Sequence, residues 1–134
     1  HIEHVQDESV LRFLEDTLYL RPLGPRGQEY DVLSDTEITA LGAKALADAT
    51  TDCWQAILNR DVSRFGDAFK RSFEAQIAMF PNMVNDDVRA LIVQYESQAL
   101  GWKLSGAGGG GYLILVSETP IEHGIKIHIR REVI

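Results

Sequence analysis

From residue 38 onward the apolar positions fall into step. Ile38, Leu41, Ala45, Ala49, Cys53 and Ile57 lie three or four residues apart, a spacing that places them on one stripe of a helix facing a core. Just ahead, Ser34-Asp35-Thr36-Glu37 has the form of a capping box, so the helix is expected to start there. A second helix is predicted from about Asp61. Val62, Phe65, Phe69, Phe73, Ile77 and Phe80 form the cleanest stripe in the chain, and Pro81 stops it. The four phenylalanines on that face read as core, each worth roughly 1.5–3 kcal/mol if buried. A third helix is expected over residues 85–99, with Val88, Leu91, Ile92 and Tyr95 turned inward.

Other segments carry strand signals. Residues 1–32 read as short pieces, with one strand over 17–23 that Pro22 pushes towards an edge or an end. Gly24-Pro25-Arg26-Gly27 then marks a loop. "GWKLS" (101–105) and "YLILVS" (112–117) flank a run of glycines. In "GIKIHIR" (124–130), Ile125, Ile127 and Ile129 alternate with Lys126, His128 and Arg130, which predicts a last strand with one wet face. One strand, three helices and three strands predict an α+β fold, an antiparallel sheet packed against helices. No internal repeat or low-complexity linker interrupts residues 1–134, so one domain is expected.

Charge and composition narrow the function classes. A net charge of −7 argues against a nucleic-acid partner, which needs a basic face. It leaves room for a small phosphorylated ligand held by backbone N–H groups. No apolar run approaches membrane-spanning length, so no membrane partner is expected. The single cysteine, Cys53, excludes an internal disulfide framework, fits a cytoplasmic setting, and sits on an inner stripe where it reads as an inert core thiol. His1, His4, His123 and His128 lack metal-ligand spacing, so no metal site is expected. Lys126, His128, Arg130 and Arg131 read as a solvated edge. The chain opens "HIEHVQDESV" without an initiator Met or a signal-peptide apolar run, so either a processed precursor or a piece cut from something longer is expected.

"KLSGAGGGGYLILV" holds the chemistry-bearing candidate. Gly106, Gly108 and Gly111 satisfy G-x-G-x-x-G, yet a strand follows them where the dinucleotide fingerprint requires a helix. A tight hairpin turn needs only one or two glycines. Four in a row weaken local structure by about 0.5–1 kcal/mol each relative to alanine. Two readings of the residues remain open: an oversized hairpin loop, or bare backbone that approaches a ligand anion or a neighbour closely.

"GWKLSGAGGGGYLILV" resembles the third motif of the GHMP kinase superfamily, which runs small-x-Lys-hydrophobic-Ser/Thr-Gly-Ala-Gly-Gly-Gly-Gly and then a strand. The match spans about sixteen residues. The helical stretch "RFGDAFKRSFEAQIAMFPNMVNDDVRALI" has the spacing of the helix pair ahead of that motif. Four glycines are more similar to L-fucokinase and D-glycero-D-manno-heptose 7-phosphate kinase than to galactokinase. The resemblance implies a ferredoxin-like C-terminal domain of an ATP-dependent kinase acting on a small molecule, with a sugar expected in view of those two relatives. The partners implied are an N-terminal kinase domain of the same protein and the sugar substrate.

On the same resemblance Ser105, Gly106, Ala107, Gly108, Gly109, Gly110 and Gly111 are expected close to the ATP phosphates, with Ser72, Glu74 and Lys103 near the substrate. No P-x-x-x-G-L-x-S-S loop occurs here. The catalytic base and the Mg²⁺ ligands are therefore expected in the N-terminal domain, with ATP and Mg²⁺ bound by the whole enzyme and neither by this part alone. Two departures stand out. Where relatives carry "YTG" and then a basic residue, this chain has "LYLRPLGPRGQEYDVL", and two readings stay open: Arg21 or Arg26 replaces that residue, or Gly24-Pro25-Arg26 is only a turn. "SETPIEHG" is too short for the helix that relatives place before the last strand, so direct hairpin-like pairing is expected there. The alternative from another class is a stand-alone ferredoxin-like binding or dimerisation module without catalysis.

Overall fold

The computed structural model describes residues 7–23, 36–105 and 111–131. Helix α1 (Glu8–Thr17) leads into strand β1 (Leu18–Pro22). Helices α2 (Ala40–Leu58) and α3 (Val62–Met79) follow, then a single 3-10 turn (Pro81–Met83) and helix α4 (Asp86–Tyr95). Strands β2 (Gly101–Ser105), β3 (Tyr112–Val116) and β4 (Ile125–Lys126) complete the order. The architecture is α+β, with a four-stranded sheet in the order β2-β3-β1-β4 and every neighbouring pair antiparallel. Strands β1 and β2 therefore run the same way on either side of β3.

Side chains alternate across the sheet, so β1 and β3 feed two cores. Tyr19, Leu104, Leu113 and Leu115 face one side, where Phe73 of α3, Val88 and Tyr95 of α4, and Met83, Val84 and Ile121 close over them. Val116 faces the other side and packs with Phe65 and Ala56, with Phe13, Leu14, Cys53 and Ile57 around them. The Phe65 ring lies 5.8 Å from that of Phe13 and 5.6 Å from that of Phe69, both tilted. Such pairs add to the area term.

Helix α3 approaches the start of β2 more closely than side chains would permit. A Cβ on Gly66 would stand 2.5 Å from Leu100 Cβ and 2.8 Å from its carbonyl carbon. One on Gly101 would overlap the Gly66 carbonyl oxygen and lie 2.7 Å from its carbon. Two glycines facing each other let helix backbone rest on strand backbone.

Several expectations need correction. Residues 8–17 form a helix, not loose segments: Asp7 accepts the Ser9 N–H as N-cap, and Val10 and Thr17 are buried along its inner face. The capping box does not start α2, whose N-cap is Thr39, accepting from Gly42 N. Ser34 and Asp35 lie outside the described residues, and Glu37 instead gives its N–H to the Met79 carbonyl at 2.9 Å. The first half of the expected stripe is consequently wet, with Ile38 70% and Leu41 82% exposed and Ala45 exposed too. The inward set is Gly42, Leu46, Ala49, Cys53 and Ala56, one position further round.

Helix α3 starts and stops where its pattern says, capped by Asp61 accepting from Arg64 N. Helix α4 is shorter than expected, ending at Tyr95. Strand β4 shrinks to two residues and pairs with β1 instead of folding back on β3. What holds the chain beyond it is charge. Arg131 reaches Glu15 at 2.6 and 2.9 Å and Glu8 at 3.0 and 3.1 Å, while Ile129 N–H donates to Glu15 at 2.7 Å. An expected ladder has become an ionic clasp on α1. No helix among the described residues is long and apolar enough to cross a membrane.

Candidate functional site

Strands β2 and β3 make a hairpin whose last paired residues are Ser105 and Tyr112. The glycine run connects them. Gly106, Ala107, Gly108, Gly109 and Gly110 lie outside the described residues, but both ends of the run are described. At its exit Gly111 has φ 116°, a left-handed conformation that side chains disfavour. Its carbonyl accepts the Leu23 N–H at 3.0 Å, which ties the exit of the run to the end of β1.

Below Ser105 a cleft of about 390 Å³ opens between the sheet and two helices. Helix α2 lends Thr50, Cys53 and Trp54, helix α3 lends Phe69 and Ser72, and the hairpin lends Lys103, Ser105 and Ile114. Lys103 and Ile114 are ladder partners, so they share the sheet face opposite Leu104 and Leu113.

Lys103 is the notable group. Its Nζ donates to Ser72 Oγ at 2.6 Å, and Ser72 is only 3% exposed. Burial holds the Lys103 ammonium below the usual lysine range, with Cys53 nearby offsetting part of that. Burial likewise pushes the Cys53 thiol up, and the Lys103 charge opposes it. The thiol is thus a poor nucleophile at neutral pH. The ion pairs among the described residues do not include Lys103.

The structure thus joins Lys103, Ser72 and Ser105 in one cleft and leaves Glu74 out. Two residues along α3 is about 200° of rotation, so Glu74 lines other surfaces, one beside Arg89 and Trp102 and one beside Asp48 and Arg71. Arg21 is on the far face of the sheet, donating through Nε to Tyr95 OH at 3.1 Å, which in turn donates to the Glu122 carbonyl at 3.2 Å. It braces β1 against α4. Arg26 lies outside the described residues. Sequence reasoning missed Thr50, Trp54 and Cys53 as cleft residues. Cys53 sat on the α2 stripe and was read as core; the usable signal was Trp54 beside it, too large to belong in an alanine-rich helix without a neighbour to cover.

No group of three His, Cys, Asp or Glu side chains suited to a metal ion occurs among the described residues. Set against known proteins, the chain matches no family model and no curated protein.

Proposed function

We propose that this chain is the C-terminal domain of a GHMP-type kinase that transfers the γ-phosphoryl group of ATP to a sugar hydroxyl. The observation that carries the reading is the Ser-Gly-Ala-Gly-Gly-Gly-Gly run joining β2 to β3, with its exit fixed by the Gly111 conformation and the Leu23 bond. Phosphoryl transfer depends on positioning and charge stabilisation more than on covalent help from protein. Backbone N–H groups free of Cβ atoms suit that task, because they can reach phosphate oxygens unobstructed.

The strand order supports the ferredoxin-like part of the proposal. Strands β1 and β2 flank β3 in the same direction and are joined by a helical crossover, one split β-α-β unit. The second unit lacks its helix, since residues 117–124 carry none. On this reading an N-terminal kinase domain holds ATP and Mg²⁺ and supplies the general base, since no P-x-x-x-G-L-x-S-S loop occurs in this sequence.

The test uses the intact protein with a panel of sugars. Gly109→Val is expected to lower kcat/KM about 100-fold, as a misplaced reacting group does, with melting temperature unchanged. An unaltered kcat/KM would remove the run from the reaction, and no turnover of any sugar would remove the kinase reading. A second reading, a non-catalytic dimerisation module, draws on Leu41 at 82% exposed on the outer face of α2. A concentration-dependent dimer abolished by Leu41→Glu would favour it.

A further inference from the structure

Lys103 is a half-buried cation in an acidic chain that gives it no carboxylate among the described residues. The sequence has 20 Asp and Glu against 13 Lys and Arg. Arg131, Arg71, Lys44 and Lys126 each receive a carboxylate within 4 Å. Among the described residues the Lys103 ammonium makes one hydrogen bond, to a neutral hydroxyl, Ser72 Oγ, which takes a single one of its three donors. A charge withdrawn from water is costly unless an opposite charge meets it. The cleft it faces is large enough for a small organic molecule, and Trp54, Phe69 and Ile114 make the wall apolar. At its rim Ser105 adds a further hydroxyl.

We infer that this cleft binds a phosphate monoester with a compact apolar or aromatic body, the phosphate on Lys103 and Ser105 and the body against Trp54. The phosphate supplies the opposite charge that the described residues do not, and the two remaining donors of Lys103 match its several terminal oxygens. Ser72 acts as a positioning residue that holds the ammonium towards the opening. The binding claim stands apart from the kinase reading, whose acceptor is a sugar.

The experiment uses the 134-residue chain without ATP and four probes: phenyl phosphate, phenol, benzoate and inorganic phosphate. Binding is followed by the indole N–H NMR signals of Trp54 and Trp102, told apart in a Trp54→Phe variant. Phenyl phosphate is expected to shift the Trp54 signal saturably, with phenol inactive and benzoate and inorganic phosphate weaker. Lys103→Met, which keeps the apolar stem, is expected to lower phenyl phosphate affinity roughly tenfold or more, the effect of one lost charged hydrogen bond, and Lys103→Arg to restore part of it. Equal affinity for phenol, or full affinity in Lys103→Met, would overturn the site; benzoate binding as tightly as phenyl phosphate would overturn the phosphate assignment. A measurement free of folding effects runs on the unmutated chain: phenyl phosphate is expected to slow acetylation of Lys103 relative to exposed Lys44, and unchanged relative rates would overturn the proposal. Failure of sugar turnover in the intact protein leaves these outcomes untouched, and loss of binding here leaves the Gly109→Val result standing.

Discussion

Adding one methyl group to Gly101 tests the glycine crossing between α3 and β2. The new Cβ would overlap the Gly66 carbonyl oxygen and lie 2.9 Å from Gly66 Cα. Ordinary contact begins near 3.4 Å, so helix and strand must separate. Every atom it meets is backbone, and none can rotate away. Overpacking of this kind costs about 1–3 kcal/mol, and with no flexible neighbour Gly101→Ala is expected at the upper end, about 3 kcal/mol. Gly66→Ala meets Leu100 instead, but gains about 1 kcal/mol of helix propensity, for a net loss of about 1–2 kcal/mol. Gly42→Ala is the control. Its Cβ would meet Met79 Sδ at 2.9 Å, the far end of a flexible side chain, and Thr39 Oγ1. Propensity and crowding offset there, and a change within about 0.5 kcal/mol is expected.

Urea unfolding at constant m-value measures all three, and the Gly101→Ala melting temperature is expected to fall by roughly 10 °C. Wild-type stability in Gly101→Ala, or a larger loss in Gly42→Ala, would refute the reasoning. The crossing also bears on the site. Ser72 stands six residues along α3 from Gly66, about 9 Å of helix, so a helix lifted from β2 carries Ser72 away from Lys103.

The Glu15 carboxyl is drawn down to about 2 from an ordinary 4.5, first by its bond to Arg131 and then by the Ile129 N–H. A depressed folded value gives stability that is present above pH 4.5 and disappears as pH falls through about 2. The difference in urea midpoint between wild type and Glu15→Gln should therefore be full at pH 6 and mostly lost at pH 2, and an equal difference at both would contradict the clasp. Phe65→Ala empties a fully buried position between two rings and is expected to cost about 3–5 kcal/mol by chemical denaturation; a loss under 1 kcal/mol would mean the site collapses around the gap. Asp61→Ala removes the N-cap of α3, and a loss of about 1 kcal/mol is expected, recovered largely by Asp61→Asn.

What could be read in the sequence follows physical lines. Helix α3 was legible because cap, periodic phenylalanines and terminal proline all agree. Strands β2 and β3 were legible because apolar runs stop at glycine. Helix α2 misled, because Ile38 and Leu41 keep helical spacing while the chain entering the helix is held by the Met79 carbonyl, which turns them outward. Such a long-range bond leaves no local mark. Residues 125–130 alternate as a strand should, yet Arg131 and two glutamates of α1 hold that stretch, a partnership between residues more than a hundred positions apart. At the site, Lys103 and Ser72 came from the motif and its preceding helix, whereas their 2.6 Å contact and the company of Cys53 depend on how α2 and α3 lie over the hairpin.

Strand β3 belongs to both apolar clusters, giving Leu113 and Leu115 to one and Val116 to the other. Helix α3 does the same with Phe73 and Phe65. With two members held in common, neither half can melt while its counterpart survives. Damage anywhere in the interior lowers a single shared melting transition, so injuries on opposite faces of the sheet surface as one thermal event.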